Sequence, residues 1–121
     1  MQFTIAGKEY ELKFGIHFIR EIDQVYKVDY QGMEFGMGVN LAFMNLLQYN
    51  PVALVEVIRA AVSHESSPPK LKKIEEAVEE YAEENDGLGE LFEGLIDELG
   101  KSKVVKDTLK KFREEAVVRE E

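Results

Sequence analysis

Gly94 and the run Gly100-Lys101-Ser102 are the first residues whose types suggest chemistry. A glycine-rich loop ending in Gly-Lys-Ser can cradle nucleotide phosphates on its backbone N–H groups. Here five residues separate the two glycines, one more than the cradle allows. No strand precedes them, and Leu95, Ile96 and Leu99 fall at helical spacing instead. The stretch Ala82 to Glu93 imitates a calcium loop, with Glu84, Asp86, Gly87 and Glu93 at its acidic and turn positions. Its first ligand position holds Ala82 and its hydrophobic position holds Gly89, so the stretch reads as a capped junction between helices. Gly36 and Gly38 form a G-x-G fragment with Leu41 where a dinucleotide fingerprint needs its third glycine. His17 and His64 are the only imidazoles, and the pair His64-Glu65 lacks the second histidine of a zinc protease motif. Glu75-Glu76 and Glu79-Glu80 are adjacent on a helix, so the members of each pair do not face one pocket as an acid and a base must. The expectation is a protein that is not an enzyme, with no catalytic residue, no cofactor and no metal.

The elements that carry these residues follow from periodicity. Phe3 and Ile5, then Ala6-Gly7, then Tyr10, Leu12 and Phe14 alternate about a glycine turn, which predicts a β-hairpin with one buried face. Ile16, Ile19, Ile22, Val25 and Tyr26 recur every three or four residues and predict a helix covering it. Tyr30 to Gly38 carries three glycines and reads as a loop or a short second hairpin around Gln31-Gly32. From Val39 to Tyr49 the apolar residues cover most of a helix circumference, which predicts a buried helix at the centre of the core. Asn50-Pro51 stops that helix and starts the next, which carries Leu54, Val55, Ile58, Ala61 and Val62. Ser67-Pro68-Pro69 starts another, with Leu71, Ile74, Val78 and Tyr81 on one stripe, and Asn85-Asp86-Gly87 ends it. Leu88, Leu91, Phe92, Leu95, Ile96 and Leu99 repeat the pattern up to Gly100. Val105, Leu109, Phe112 and Ala116 continue it among many Lys and Glu residues, in a stretch expected to order on docking. The fold class is therefore α+β and mostly α-helical, an N-terminal β-hairpin packed on a bundle of about five helices.

At 121 residues the chain is expected to form a single domain, 1–121. Residues 1–63, the hairpin plus core helices, hold 5 basic and 7 acidic side chains. Residues 64–121, an acidic amphipathic helical subregion, hold 10 basic and 17 acidic. The total of −9 argues against nucleic-acid binding, which needs Lys and Arg to displace counterions from phosphate. No apolar run approaches the ~20 residues of a membrane span, and the N-terminus lacks a secretory pattern. With Cys absent, a reducing cytoplasm is the expected location.

What remains is a set of amphipathic helices whose apolar residues exceed what one small core encloses. Such stripes bind proteins by helix-to-helix packing, with an acidic rim selecting basic partners. Leu91, Phe92, Leu95 and Ile96 form one of the strongest stripes and are the candidate partner-binding residues, with the hairpin-helix surface as the alternative. All four being intramolecular core is the competing reading. An acidic inhibitor that mimics DNA is the alternative function, weakened by Lys residues interleaved among the carboxylates.

Gly7-Lys8-Glu9-Tyr10-Glu11-Leu12-Lys13-Phe14-Gly15 leads into Phe18-Ile19-Arg20-Glu21-Ile22-Asp23, and Gly36-Met37-Gly38-Val39-Asn40-Leu41 and Asn50-Pro51-Val52-Ala53-Leu54 follow. Together these segments resemble the tail assembly chaperones of siphophages and prophages of Gram-positive bacteria. The likeness continues through Pro69 to Tyr81 and Leu91 to Leu99, and is least distinctive in the last twenty residues. The resemblance implies a short-form, non-enzymatic protein that coats the tape measure protein, recruits the major tail protein, and is absent from the mature virion. Self-association into a homo-oligomer is a further expectation. A coating role fits amphipathic chemistry, because a long tape measure helix needs its apolar stripe covered until tail subunits replace the cover.

Overall fold

Two residues with positive φ, Ala6 at 51° and Gly7 at 79°, turn the chain between β1 (Gln2–Ile5) and β2 (Lys8–Glu11). A two-residue turn of this hand matches the twist of the strands it joins. The register pairs Phe3 with Tyr10 and Ile5 with Lys8. Phe3, Ile5 and Tyr10 are buried together on one face, as the alternation predicts. The computed structural model describes the backbone of residues 1–30 and 33–120, and side chains there outside 28–36 and 115–120.

Beyond the hairpin the chain runs through α1 (Ile16–Val25), β3 (Lys27–Tyr30), β4 (Met33–Gly36), α2 (Gly38–Leu47), α3 (Pro51–Val62), α4 (Leu71–Asn85), α5 (Gly89–Lys101) and α6 (Lys106–Glu120). The fold is α+β and mostly helical, with six helices among the described residues where the periodicity suggested about five. Strands β3 and β4 pair antiparallel, Lys27 opposite Gly36 and Tyr30 opposite Met33, which settles the choice between loop and second hairpin. The expected turn at Gln31-Gly32 lies outside the described residues.

The core is centred on α3, and this corrects the expectation that the Val39–Tyr49 helix would hold that place. Ala53, Leu54, Val57, Ile58, Ala60, Ala61 and Val62 of α3 are all buried. Its small Ala and β-branched Val side chains let α1, α2, α4 and the hairpin approach closely. On α2 only Gly38, Val39, Ala42 and Leu46 are buried, while Met44 and Leu47 face solvent. Apolar residues all round a helix signal burial only if neighbours cover every face, and α2 lacks a neighbour on one.

Local caps fix where the helices start and stop. The Asn50 side chain accepts a hydrogen bond from the Val52 N–H at 3.0 Å, with Pro51 in the first turn, as read from the sequence. Helix α4 begins at Leu71 behind an extended Lys70, later than the Ser67 start expected. Part of the cause is steric: Pro68 and Pro69 push Ser67 and Pro68 out of the helical region, and the extended Lys70 then takes the N-cap position. At the other end Asp86, with φ 54°, takes the left-handed position that closes α4.

The joints between elements are hydrogen-bonded. Lys13 N–H donates to the Ala61 carbonyl at 3.0 Å, and Ser102 Oγ–H donates to the Phe14 carbonyl at 2.6 Å. These tie the strand leaving the hairpin to α3 on one side and to the α5–α6 junction on the other. Gly38 N–H donates to Asp23 Oδ1 at 2.8 Å, which puts a carboxylate at the positive end of α2. A Cβ on Gly38 would stand 2.5 Å from the Ile22 carbonyl carbon, so this crossing of α1 and α2 admits only glycine.

Candidate functional site

Leu91, Phe92 and Leu95, three of the four candidate partner-binding residues, are buried in the chain's own core, and Ile96 is partly buried against it. They lie on the inner stripe of α5, packed toward α2. In this conformation Leu91, Phe92 and Leu95 present almost no surface, and Ile96 presents part of its side chain. The apolar surface that solvent does reach is elsewhere, and its densest stretch is the corner between α2 and α3.

Met44 is 39% exposed, Leu47 54% and Tyr49 45%, and Val52 is exposed in the first turn of α3. Asn40, Met44 and Leu47 follow one another at helical spacing along one face of α2. Helix α6 covers the beginning of that face: Asn40 shares a shallow cleft with Asp107, Thr108, Lys111 and Phe112. Val105 and Leu109 are buried where α6 docks on α2 and α5. Further along the same face Met44 and Leu47 stay exposed.

Tyr49 closes the corner in an unusual way. The end of α2 is a complete left-handed cap, with Tyr49 N–H donating to Leu46 O and Asn50 N–H to Asn45 O, both at 3.0 Å. The left-handed residue in such a cap is ordinarily glycine, because a Cβ is crowded there. Here it is a tyrosine with φ 57°. Its ring stacks on Phe92, centroids 4.5 Å apart and planes within 7°, and its hydroxyl donates to Glu93 Oε1 at 2.5 Å. That hydrogen bond to a carboxylate raises the Tyr49 hydroxyl above its ordinary value of 10.0. Backbone strain of this kind persists only where surrounding contacts hold it, and it concentrates at binding sites.

Charge near the corner is sparse, and Lys111 of α6 lies at the Asn40 end of the same face. Residues 38–58, which span α2 and most of α3, contain Glu56 and no other charged side chain. Across the corner α5 presents Glu90 and Glu93 one turn apart, both exposed. Sequence reasoning missed Tyr49 because nothing local marks a tyrosine as the left-handed residue of a cap. The available signal was the excess of apolar residues on α2, which was read as burial.

The remaining candidates resolve into structural parts. Gly94 to Lys101 lies inside α5, and Ala82 to Glu93 forms the end of α4, its left-handed turn and the start of α5. Among the described residues no cluster of His, Asp and Glu is arranged to hold a metal ion. A cleft of ≈ 570 Å³ between α1, the end of α3 and the start of α4 is lined by Val25 and Leu71 with His17, Glu21, Arg59 and Lys70, a mixed set with no converging reactive groups. Glu76, Glu79, Glu80, Glu83 and Glu84 make α4 a solvated acidic face. Among the described residues no helix is long and apolar enough to cross a membrane.

A helical body with an unpartnered apolar corner and an acidic surround has the surface of a protein that handles other proteins. The family model for phage tail assembly chaperone proteins, TAC, matches residues 2–114, and the chain belongs to that family. No curated protein and no solved structure is significantly similar to it.

Proposed function

We propose that this chain coats the tape measure protein during phage tail assembly and recruits the major tail protein to it. It does so without catalysis, in the cytoplasm of the infected host, and leaves before the virion is complete. The observation that carries this reading is the family match over residues 2–114. The exposed corner of Met44, Leu47, Tyr49 and Val52 adds the physical means, since a chaperone for an amphipathic helix must present apolar surface before its client arrives. Binding has to be reversible, and a shallow apolar surface with an acidic rim gives moderate affinity by burial and fast exchange by electrostatics.

The test is co-expression with the tape measure protein of the same phage. The expected result is that the tape measure, insoluble alone, becomes soluble and co-purifies with this chain, and that added major tail protein joins the complex. A tape measure that stays insoluble and unbound in the presence of this folded chain overturns the reading. Salt-sensitive competition with DNA for a host enzyme would support the inhibitor alternative instead.

A further inference from the structure

Asn40 Oδ1 is sealed from solvent and accepts no hydrogen bond among the described residues. A buried acceptor left unpaired favours any state in which water reaches it, because water then supplies the bond that the protein does not. Asn40 stands where α6 meets α2, in a cleft with Asp107, Thr108, Lys111 and Phe112. Helix α6 is lightly held there. Of its side chains from Lys106 to Glu114, Leu109 is buried, Phe112 is half-buried and the other seven are exposed. Helix α3, by contrast, buries seven of its twelve. The chain just ahead of α6 is firmly tied: Ser102 Oγ–H donates to the Phe14 carbonyl at 2.6 Å, and the Ser102 carbonyl accepts from the Val105 and Lys106 N–H groups at 3.2 and 2.9 Å. A fixed joint, then a helix with a narrow buried stripe beside an unpaired acceptor, is the arrangement of a cover that opens locally.

We infer that α6 lifts from α2 and α5 as a unit, pivoting at Ser102 while the rest of the fold stays native, and that Asn40 sets how often it does so. In the closed state Leu109 sits buried against α2 and α5, and Asn40 Oδ1 is cut off from water. In the open state that acceptor is hydrated and the apolar seat of Leu109 is bare. Asn40, Met44 and Leu47 lie at helical spacing along one face of α2, so opening extends the exposed stripe by a turn toward the start of the helix. The device regulates how much apolar surface the chain shows, and it holds whichever partner that surface meets. An unpaired acceptor suits this tuning, because its penalty arises at one atom and leaves the packing of Leu109 intact.

The experiment is native-state hydrogen exchange on the full chain, read at the amides of Leu109 to Glu114 in α6 and of Val57 to Val62 in α3. In the native chain the α6 amides are expected to exchange roughly a hundredfold or more faster than those of α3. Asn40→Leu replaces the unpaired acceptor with an apolar side chain of similar shape and is expected to slow α6 exchange roughly fivefold or more. Asn40→Met makes the same replacement with an unbranched chain that adapts to the space available, and the same slowing is expected, so the test stands even if leucine crowds the site. If the α6 amides of the native chain exchange no faster than those of α3, the helix opens only with the whole fold and the inference falls. If neither variant slows α6 exchange, Asn40 does not set the opening and the inference falls as well, whatever happens in α3.

Discussion

The inner stripe of α5 and the α2–α3 corner are built from the same kinds of residue and meet at one stacked pair of rings, yet they do opposite work. Leu91, Phe92 and Leu95 are buried and give the fold its apolar contacts, at about 1.5–3 kcal/mol for each large side chain taken from water. Met44, Leu47 and Tyr49 leave 39%, 54% and 45% of their surface in solvent, and that part contributes little to folding. The difference lies in what covers each helix. α5 has α2 over its stripe, whereas Met44 and Leu47 on the outer face of α2 stay exposed. An apolar stripe therefore identifies a surface that needs a partner, and only the packing tells whether that partner is in the same chain.

The sharpest way to break this contrast is to place a charge on each side of it. Phe92→Glu puts a carboxylate in the core with no counter-charge described around it, and the cost of burying an unpaired charge matches or exceeds the roughly 5–15 kcal/mol by which a domain is stable. The expected outcome is loss of the cooperative thermal transition by circular dichroism. Leu47→Glu puts the same group in water and is expected to shift the midpoint by less than about 5 °C. A Phe92→Glu protein that melts like the native chain would show that α5 can present its stripe outward, and the original candidate residues would return as a binding surface.

Gly38 supplies the next largest effect, on a joint that holds α2 in place. A methyl group there meets the α1 backbone at Ile22 and Asp23, which cannot yield as a side-chain end could. Gly38→Ala is expected to cost about 1–3 kcal/mol, read as a lower urea midpoint at unchanged slope. Its usual gain in helix propensity, about 1 kcal/mol, is too small to offset the clash.

Much of the scaffold was legible in the sequence because it is specified locally. The alternation around Ala6-Gly7 dictates which hairpin face is buried, and Asn50-Pro51 carries its own cap chemistry. The later start of α4 was legible in principle, since two consecutive prolines forbid a helix before them. Three features were not, because each depends on residues distant in sequence: the bare face of α2, the close crossing at Gly38, and a tyrosine in a glycine position. Asn50 and Pro51 draw attention as the stop signal, yet the strained residue is their neighbour Tyr49, held by Phe92 and Glu93 from α5.

Tyr26 offers a smaller effect that separates the inner side of α2 from its outer side by pH. Burial first, and then a hydrogen bond to Glu56, raise the Tyr26 hydroxyl well above its ordinary value of 10.0. The folded state thus holds the neutral phenol while the unfolded chain ionises near 10. The stabilisation is complete below that value and is lost as pH rises beyond it. Tyr26→Phe should lose about 1 kcal/mol at neutral pH with the hydrogen bond, and its stability should fall less steeply than the native chain's in alkaline urea titrations.

The smallest change in stability is expected at Tyr49, and it bears most directly on the division between core and corner. Tyr49→Gly relieves a left-handed side chain, a gain of about 1–2 kcal/mol. It removes a ring stack of about 0.5–1.5 kcal/mol and adds about 0.5–1 kcal/mol of backbone entropy to the unfolded chain. The exposed hydroxyl's hydrogen bond to Glu93 is lost as well, which tips a near balance slightly toward destabilisation, so the melting point should stay within about 5 °C of the native value. Phe92→Ala deletes the other ring of the same pair and should cost about 3–5 kcal/mol, because a buried cavity is left behind. Two truncations of one stack would then differ by about 3–5 kcal/mol, and the ring whose loss folding tolerates is the one that solvent reaches. A Tyr49→Gly protein destabilised as much as Phe92→Ala would make Tyr49 a core residue.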